Sequence, residues 1–337
     1  KCNLKCIYCR AEADSFQSND LSLHQITAAI DTIAKYYKPI IVLTGGEPLY
    51  RKDIFDIAEY IHNKDMPVAL ATNGTLITKE IAGKIKKHNI RRVSITLDAG
   101  TASLHDSIRG IKGSFNDALK GVDYLAAASV EFQFNTTITK QNVKNISEIV
   151  ELAKEKRAKA LHIFLLVPVG CGVEISEDEM ISVEQYESVL HQLYDYSTKN
   201  DLEIKATCAP HYYRIIRQRA KEESRTLSFE KDGLAAVTKG CLAGSGVCFI
   251  SNTGDVQPCG YLPLAAGNIT EKSFNEIWES AELFKDLRDY SKLEGKCGDC
   301  EYIKVCSGCR ARAYFQSGSI FAEEPFCLYE PKKIPVK

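Results

Sequence analysis

The chain carries almost no net charge and no apolar run of membrane-spanning length, and each absence removes a class of function. Its formal net charge is −1, from 43 basic and 44 acidic residues. That balance gives no general reason to expect a nucleic acid or an anionic membrane surface as partner. No stretch approaches the ~20 apolar residues of a spanning helix, and no secretory signal peptide is visible. Low-complexity tracts and short internal repeats are also missing. What remains is a chain of 337 residues, 45 % apolar, enough for one large domain with a sizeable core and a smaller one beside it.

Cysteine, by contrast, is abundant, with 13 in the chain. A secreted disulfide scaffold would usually be shorter. Short spacings clustered at both ends point instead to metal ligation in a reducing, anaerobic cytoplasm. Cys2, Cys6 and Cys9 stand in the spacing C-x3-C-x2-C. Three thiolates on one short loop suit three irons of a [4Fe-4S] cube and leave the fourth iron open to a small molecule. Zinc competes for such a loop, but it wants four ligands and no fourth is at hand. A strand is expected before this loop, so the natural chain is expected to begin upstream of Lys1.

This pattern resembles the radical SAM superfamily. The resemblance implies that S-adenosylmethionine (SAM) chelates the open iron and is cleaved to a 5′-deoxyadenosyl radical. One strand-helix unit later comes Gly45-Gly46-Glu47-Pro48. Two glycines let a backbone approach a ligand closely, and Glu47 supplies an acceptor. In that superfamily this segment binds the SAM amino group. Polar residues on or after later strands, Asn73, Ser94, Asp98 and Asn135, are candidates for the ribose hydroxyls. Arg109 offers a guanidinium fork for the SAM carboxylate, and Tyr8 is expected near the adenine.

Up to about residue 200, β-branched runs alternate with helical periodicity. The strands are expected at Pro39–Thr44, Pro67–Thr72, Arg92–Leu97, Glu131–Ile138, Ala160–Val167 and Leu202–Ala206. The helices are expected at Leu23–Tyr37, Lys52–His62, Thr78–His88, Ser114–Ala127, Asn145–Glu155, Ser182–Lys199 and Tyr212–Glu223. Such repetition argues an α/β fold with a parallel sheet and crossover helices. A partial (β/α)6 TIM-like barrel fits, with its site at the C-terminal strand ends; an open doubly wound sheet is the alternative. The domains read as 1–206 for the barrel, 207–237 for a basic bridging helix and a polar, mobile linker, and 238–337 for a cysteine-rich unit.

That last unit holds Cys241, Cys248 and Cys259, then Cys297-x2-Cys300-x5-Cys306-x2-Cys309, and finally Cys327. Eight thiols suffice for two fully ligated cubes. The arrangement resembles the SPASM extension of radical SAM enzymes, so the likeness covers nearly the whole chain. By position in that group, Cys241, Cys248, Cys259 and Cys309 would hold one auxiliary cluster. Cys297, Cys300, Cys306 and Cys327 would hold the other. The gap between Cys306 and Cys309 is two residues where three is usual, and a small buried cysteine is the competing reading of Cys248. A single auxiliary cluster is therefore the alternative to two. Cys171 and Cys208 are expected as unligated thiols, although Cys208 lies close to His211.

Three further segments resemble the haem-biosynthesis branch of that group: Arg10-Ala-Glu-Ala after Cys9, Thr207–Arg214, and the residues framing Cys241 and Cys259. The branch implies oxidative decarboxylation of two propionates of Fe-coproporphyrin III to vinyl groups, giving haem b. A basic pocket would then hold the remaining carboxylates. Arg214, Arg217, Arg219 and Lys221 supply charge, and His211 and Tyr213 are candidate contacts to the macrocycle. A solvated helix face is the plain alternative for these residues. A low-potential donor such as ferredoxin or flavodoxin and an unidentified electron acceptor are also implied. Rival readings are acetate removal from didecarboxysirohaem, peptide maturation, and an Fe–S electron carrier or haem chaperone. Gly45–Pro48 argues against the carrier, which has no need of a SAM pocket.

Overall fold

The computed structural model describes residues 1–13, 19–199 and 202–332. Strands β1 (Ile41–Leu43), β2 (Val68–Thr72), β3 (Ile90–Thr96), β4 (Glu131–Ile138), β5 (Ala160–Leu165) and β6 (Glu203–Thr207) run in sequence order. Every neighbouring pair is parallel. β1 and β6 end the row, so the barrel is partial. The helices between and after them are α1 (Leu23–Tyr36), α2 (Ile54–His62), α3 (Lys79–Lys87), α4 (Ala102–Arg109), α5 (Ser114–Ala127), α6 (Ile146–Glu155), the short α7 (Ser176–Glu179), α8 (Val183–Lys199) and α9 (His211–Glu222).

Local chemistry sets these boundaries. Ser22 and Gln25 form a reciprocal capping box at the start of α1, a device worth about 0.5–2 kcal/mol. Thr78 caps α3. Helix α4, absent from the sequence-based expectation, is short and ends at Gly110 with φ +69°. A Cβ there would lie 2.6 Å from the Lys5 oxygen. The missing side chain lets the N-terminal loop dock on α4, with Lys5 and Ile7 donating to the oxygens of Arg109 and Ile108 at 3.0 and 3.1 Å.

Alternation along the strands divides the sheet into two faces. Val93, Ile95, Phe132, Phe134, Leu161 and Ile163 are buried in the main core with the helices. On the opposite face the register aligns Ser94 with Gln133, and Asn135 with His162 and then Lys205. The inner face of the barrel is therefore a polar row.

α9 is docked rather than solvated: His211, Tyr212, Tyr213, Arg214, Ile215 and Ile216 are all buried. The linker expected to be mobile contains two helical turns, Phe229–Asp232 and Leu234–Val237. Beyond it lies an antiparallel sheet of β7 (Phe249–Ile250), β8 (Asp255–Gln257) and β9 (Gly267–Asn268). It reaches back to the barrel, where Leu21 N–H donates to the Asn252 oxygen at 2.8 Å.

Arg312 joins the two halves. This guanidinium is 1 % exposed and lies on the helix Arg310–Ser317, which follows Cys309 directly. It donates to the backbone oxygens of Leu165, Leu166 and Cys208 at 3.4, 3.3 and 3.0 Å, and pairs with buried Glu324 at 3.2 Å.

Candidate active site and thiol centres

The N-terminal loop carries its thiols across the C-terminal ends of the first strands. Glu47 N–H donates to the Lys1 oxygen at 2.9 Å. A Cβ on Gly46 would stand 2.5 Å from that same oxygen, whereas one on Gly45 would meet nothing within 4 Å. The two glycines thus do different work: Gly46 admits the thiol loop, and Gly45 faces open space. On the far side, Cys171 N–H donates to the Cys9 oxygen at 3.0 Å, where Gly170 adopts φ +58°.

Each of two thiols has donors aimed at it. Cys6 Sγ accepts from Arg109 Nη1 at 3.2 Å. Cys2 Sγ accepts from Leu4 N–H at 3.5 Å and Asn73 Nδ2 at 3.8 Å. Such donors stabilise thiolate charge, the state an iron ligand requires. Asn73 also bridges to Asn3 Oδ1 at 2.8 Å, so its amide braces the thiol loop.

Glu47 is almost fully buried. Burial raises its pKa, and three donors oppose that shift: the Asn73 N–H at 2.9 Å, the Thr72 hydroxyl at 2.7 Å and the Leu49 N–H at 3.1 Å. The carboxylate is thereby held at the tip of β2 beside the thiols.

Tyr8, Asp98 and Arg109, expected at three different parts of SAM, engage one another instead. Tyr8 donates to Asp98 Oδ2 at 2.5 Å, and Arg109 Nη2 lies 2.7 Å from the same oxygen. Thr137 N–H takes Asp98 Oδ1 at 2.9 Å. Asp98 is fully buried and Arg109 nearly so. This pair holds Arg109 against Cys6, while Arg109 Nε is buried without a partner. Ser94 and Asn135 lie on the polar inner row. Gln133 Nε2 links Asn135 Oδ1 at 3.1 Å to His162 Nδ1 at 3.0 Å. Burial, and then the charges of Lys205 and Arg92, bring His162 down to about 4.

All 13 cysteines are free. Cys297, Cys300, Cys306 and Cys327 surround one cavity, and His211 and Arg214 form part of its wall. Two of the residues expected in a basic pocket, His211 and Arg214, therefore lie beside these four thiols. His211 is fully buried, both its ring nitrogens lack partners, and burial lowers its pKa to about 4. Arg214 is clamped by both oxygens of Glu187 at 2.6 Å. Tyr213 is buried, and Arg217 donates to its backbone oxygen at 3.0 Å. Arg214 is thus neutralised within the protein, whereas the His211 nitrogens are left without partners.

Two of the other four expected ligands fall in one side-chain cluster. Cys259 and Cys309 share a small apolar cluster with Cys208, Val167 and Leu262. Cys248 packs instead against the main core. Arg10, next to Cys9, reaches this region: it donates to the Gly260 oxygen at 3.3 Å and lies over Phe249 at 4.5 Å.

Among the described residues, no three His, Cys, Asp or Glu side chains converge tightly enough for a lone metal ion. A four-iron cube spreads its thiolates over its corners and asks for a wider ring of sulfurs. An all-sulfur donor set suits it, as do the donors aimed at Cys2 and Cys6.

Residues 1–155 match the radical SAM superfamily, and residues 241–310 match the SPASM iron–sulfur cluster-binding domain. The chain is 48 % identical over 333 residues to an AdoMet-dependent heme synthase of Methanosarcina barkeri, spanning 98 % of this chain and 95 % of that protein. This chain belongs to the radical SAM superfamily. It is also 30 % identical to an Fe-coproporphyrin III synthase of the same organism, over 99 % of this chain and 87 % of that one. The radical SAM fold is shared with SuiB of Streptococcus suis, solved with its precursor peptide: TM-score 0.76 at 18 % identity, covering 97 % of this chain and 74 % of SuiB.

As a radical SAM enzyme the chain binds SAM and iron–sulfur clusters. Several residues of its site escaped sequence reasoning. Gln133 and His162 were signalled only by polar side chains at alternate positions of otherwise apolar strands. Arg312 carried no signal, since a buried guanidinium depends on partners from distant segments.

Proposed function

We propose that this radical SAM enzyme of haem synthesis removes carbon dioxide from two propionates of Fe-coproporphyrin III, leaving two vinyl groups and haem b. The observation that carries the reading is the 48 % identity over nearly all of both chains to an AdoMet-dependent heme synthase. The identity to the Fe-coproporphyrin III synthase is 30 %, which favours the first activity over the second.

When bound, the N-terminal [4Fe-4S] cluster and SAM supply a primary-carbon radical that takes a hydrogen atom from unactivated carbon. Cys2, Cys6 and Cys9 hold the cluster. The Asp98–Arg109 pair and Asn73 keep donors on two of its thiolates. Gly45, Glu47, Ser94 and Asn135 present backbone space and polar groups to SAM, and the unpartnered Arg109 Nε is a further donor. Each propionate gives up a β-hydrogen atom and carbon dioxide, which leaves one surplus electron for an acceptor.

The polar inner row positions the substrate. Lys205 offers a positive charge to a propionate beside neutral His162. Two auxiliary clusters are assigned to the C-terminal thiols, one of them to Cys297, Cys300, Cys306 and Cys327. A low-potential protein such as ferredoxin or flavodoxin reduces the enzyme in an anaerobic cytoplasm. No helix among the described residues is long and apolar enough to cross a membrane.

The test is anaerobic incubation of reduced enzyme with SAM and Fe-coproporphyrin III, read by product mass. Stepwise loss of two formic-acid equivalents, through a monovinyl species, is the expected result. SAM cleavage with unchanged porphyrin, but conversion of didecarboxysirohaem, would transfer the chain to acetate removal.

A further inference from the structure

We propose that Cys208 supplies the fourth thiolate of the auxiliary cluster held by Cys241, Cys259 and Cys309, in place of Cys248. The inference rests on the reading that this part of the chain holds an iron–sulfur cluster.

Cys208 stands immediately beyond β6, outside the cysteine-rich domain. Its backbone is left-handed, with φ +57°, a conformation a non-glycine residue keeps only where its surroundings impose it. Here they do. The Cys208 oxygen accepts from Arg312 at 3.0 Å and from the Tyr186 hydroxyl at 3.2 Å. Arg312 belongs to the helix whose N-cap is Cys309, so one helix fixes both thiols.

Cys241 is delivered to the same place by a backbone contact. A Cβ on Gly240 would lie 2.6 Å from the Cα of Pro210, which puts the residue before Cys241 against the residue two beyond Cys208. Cys208, Cys259 and Cys309 share one apolar cluster. Cys309, Cys259 and Cys241 are all near enough for their charges to act on the Cys208 thiol. Cys259 has Cys241 and Cys309 as its charged neighbours.

Cys248 shares the backbone neighbourhood, since Val247 N–H donates to the Leu242 oxygen at 3.0 Å, but its side chain is not in the cluster of Cys208, Cys259 and Cys309. It precedes β7 and packs against the main core. A small apolar-packed thiol is sufficient account of it.

The chemical consequence concerns ligand exchange. Three thiolates would leave one iron of this cube open to a substrate. A fourth from Cys208 closes it, and a closed cube transfers electrons without binding a small molecule. It also places one ligand on the barrel, so the cluster fastens the two halves together.

The test uses the full chain, reconstituted anaerobically, in a background where Cys2, Cys6 and Cys9 are all alanine. Only auxiliary iron is then counted. Iron, acid-labile sulfide and EPR are compared for Cys208→Ala, Cys208→Ser, Cys241→Ala and Cys248→Ala. Cys208→Ala and Cys241→Ala are expected to lose one cube's iron, or its one labile iron with a three-iron EPR signal. Cys208→Ser is expected to keep the iron with an altered EPR spectrum, since an alkoxide can take the thiolate's place. Cys248→Ala should match the parent. Parent-like iron and EPR in Cys208→Ala, or a cube lost from Cys248→Ala, would overturn the assignment. Parent-like iron in Cys241→Ala would remove the cluster itself, and that result is distinguishable from a misassigned ligand.

Discussion

Asn at position 98 is the sharpest test of the site's construction. Asp98 is fully buried and faces Arg109, whose side chain is 6 % exposed. Asp98→Asn keeps the shape and the acceptor for Thr137 N–H, but it leaves a buried guanidinium with the Cys6 thiol and the Tyr8 ring against it and no counter-charge. Removing one member of a buried pair costs about 3–5 kcal/mol, because the remaining charge stays desolvated. Arg109→Met should cost a similar amount by stranding the carboxylate. The double variant leaves no orphan charge, so it should cost clearly less than the two singles together. A coupling of about 2 kcal/mol or more is expected, well above the scatter for independent sites. Anaerobic urea unfolding followed by circular dichroism gives the three values. Single costs below about 1 kcal/mol that simply add would refute the buried-pair argument, since that is the behaviour of exposed pairs.

Three other outcomes follow from the same geometry. Gly46→Ala should lose the N-terminal cluster's iron while auxiliary iron stays, because its Cβ would meet the Lys1 oxygen at 2.5 Å; Gly45→Ala should keep both and weaken SAM affinity alone. His105 is 1 % exposed, accepts Asp98 N–H at 3.2 Å, and is lowered to about 4 by burial and then by the Arg109 charge. The unfolded chain therefore takes up its proton first, so stability should fall as pH drops from about 6.5 toward 4. The urea midpoint tracks this, and a pH slope unchanged in His105→Asn would reject it. Glu324→Gln strips the counter-charge from Arg312 and weakens the acceptor for Cys309 N–H, now at 2.6 Å. Faster iron release to a chelator is expected, and an unaltered rate would count against that carboxylate's role.

Much of the fold was legible because strand and helix periods differ and the barrel repeats them. β4 and α5 match their expected bounds, and the other expected barrel elements shift by at most two residues at either end. Helix α4 was missed because eight residues with few apolar positions give little periodic signal. The thiols were legible from spacing alone. What spacing could not reveal was which thiols meet, since Cys208 and Cys309 are brought together by tertiary contacts across a hundred residues. The same limit explains α9: its charges read as a pocket, but Glu187 on a neighbouring helix neutralises Arg214. Polar residues at strand ends suggested ligand contacts one by one, and no local pattern could show that Tyr8, Asp98 and Arg109 satisfy each other.

Arg312 has a bearing on how this protein comes apart. Its donors end on β5, on the connection after β6 and on Glu324, so detaching the barrel takes three backbone acceptors from a buried guanidinium that Glu324 alone does not satisfy. The barrel and the cysteine-rich unit should therefore melt in one cooperative step rather than as beads on a string. A protease cut between them ought to leave two pieces that remain associated. For such a chain, domain boundaries drawn along the sequence are not boundaries between units of stability.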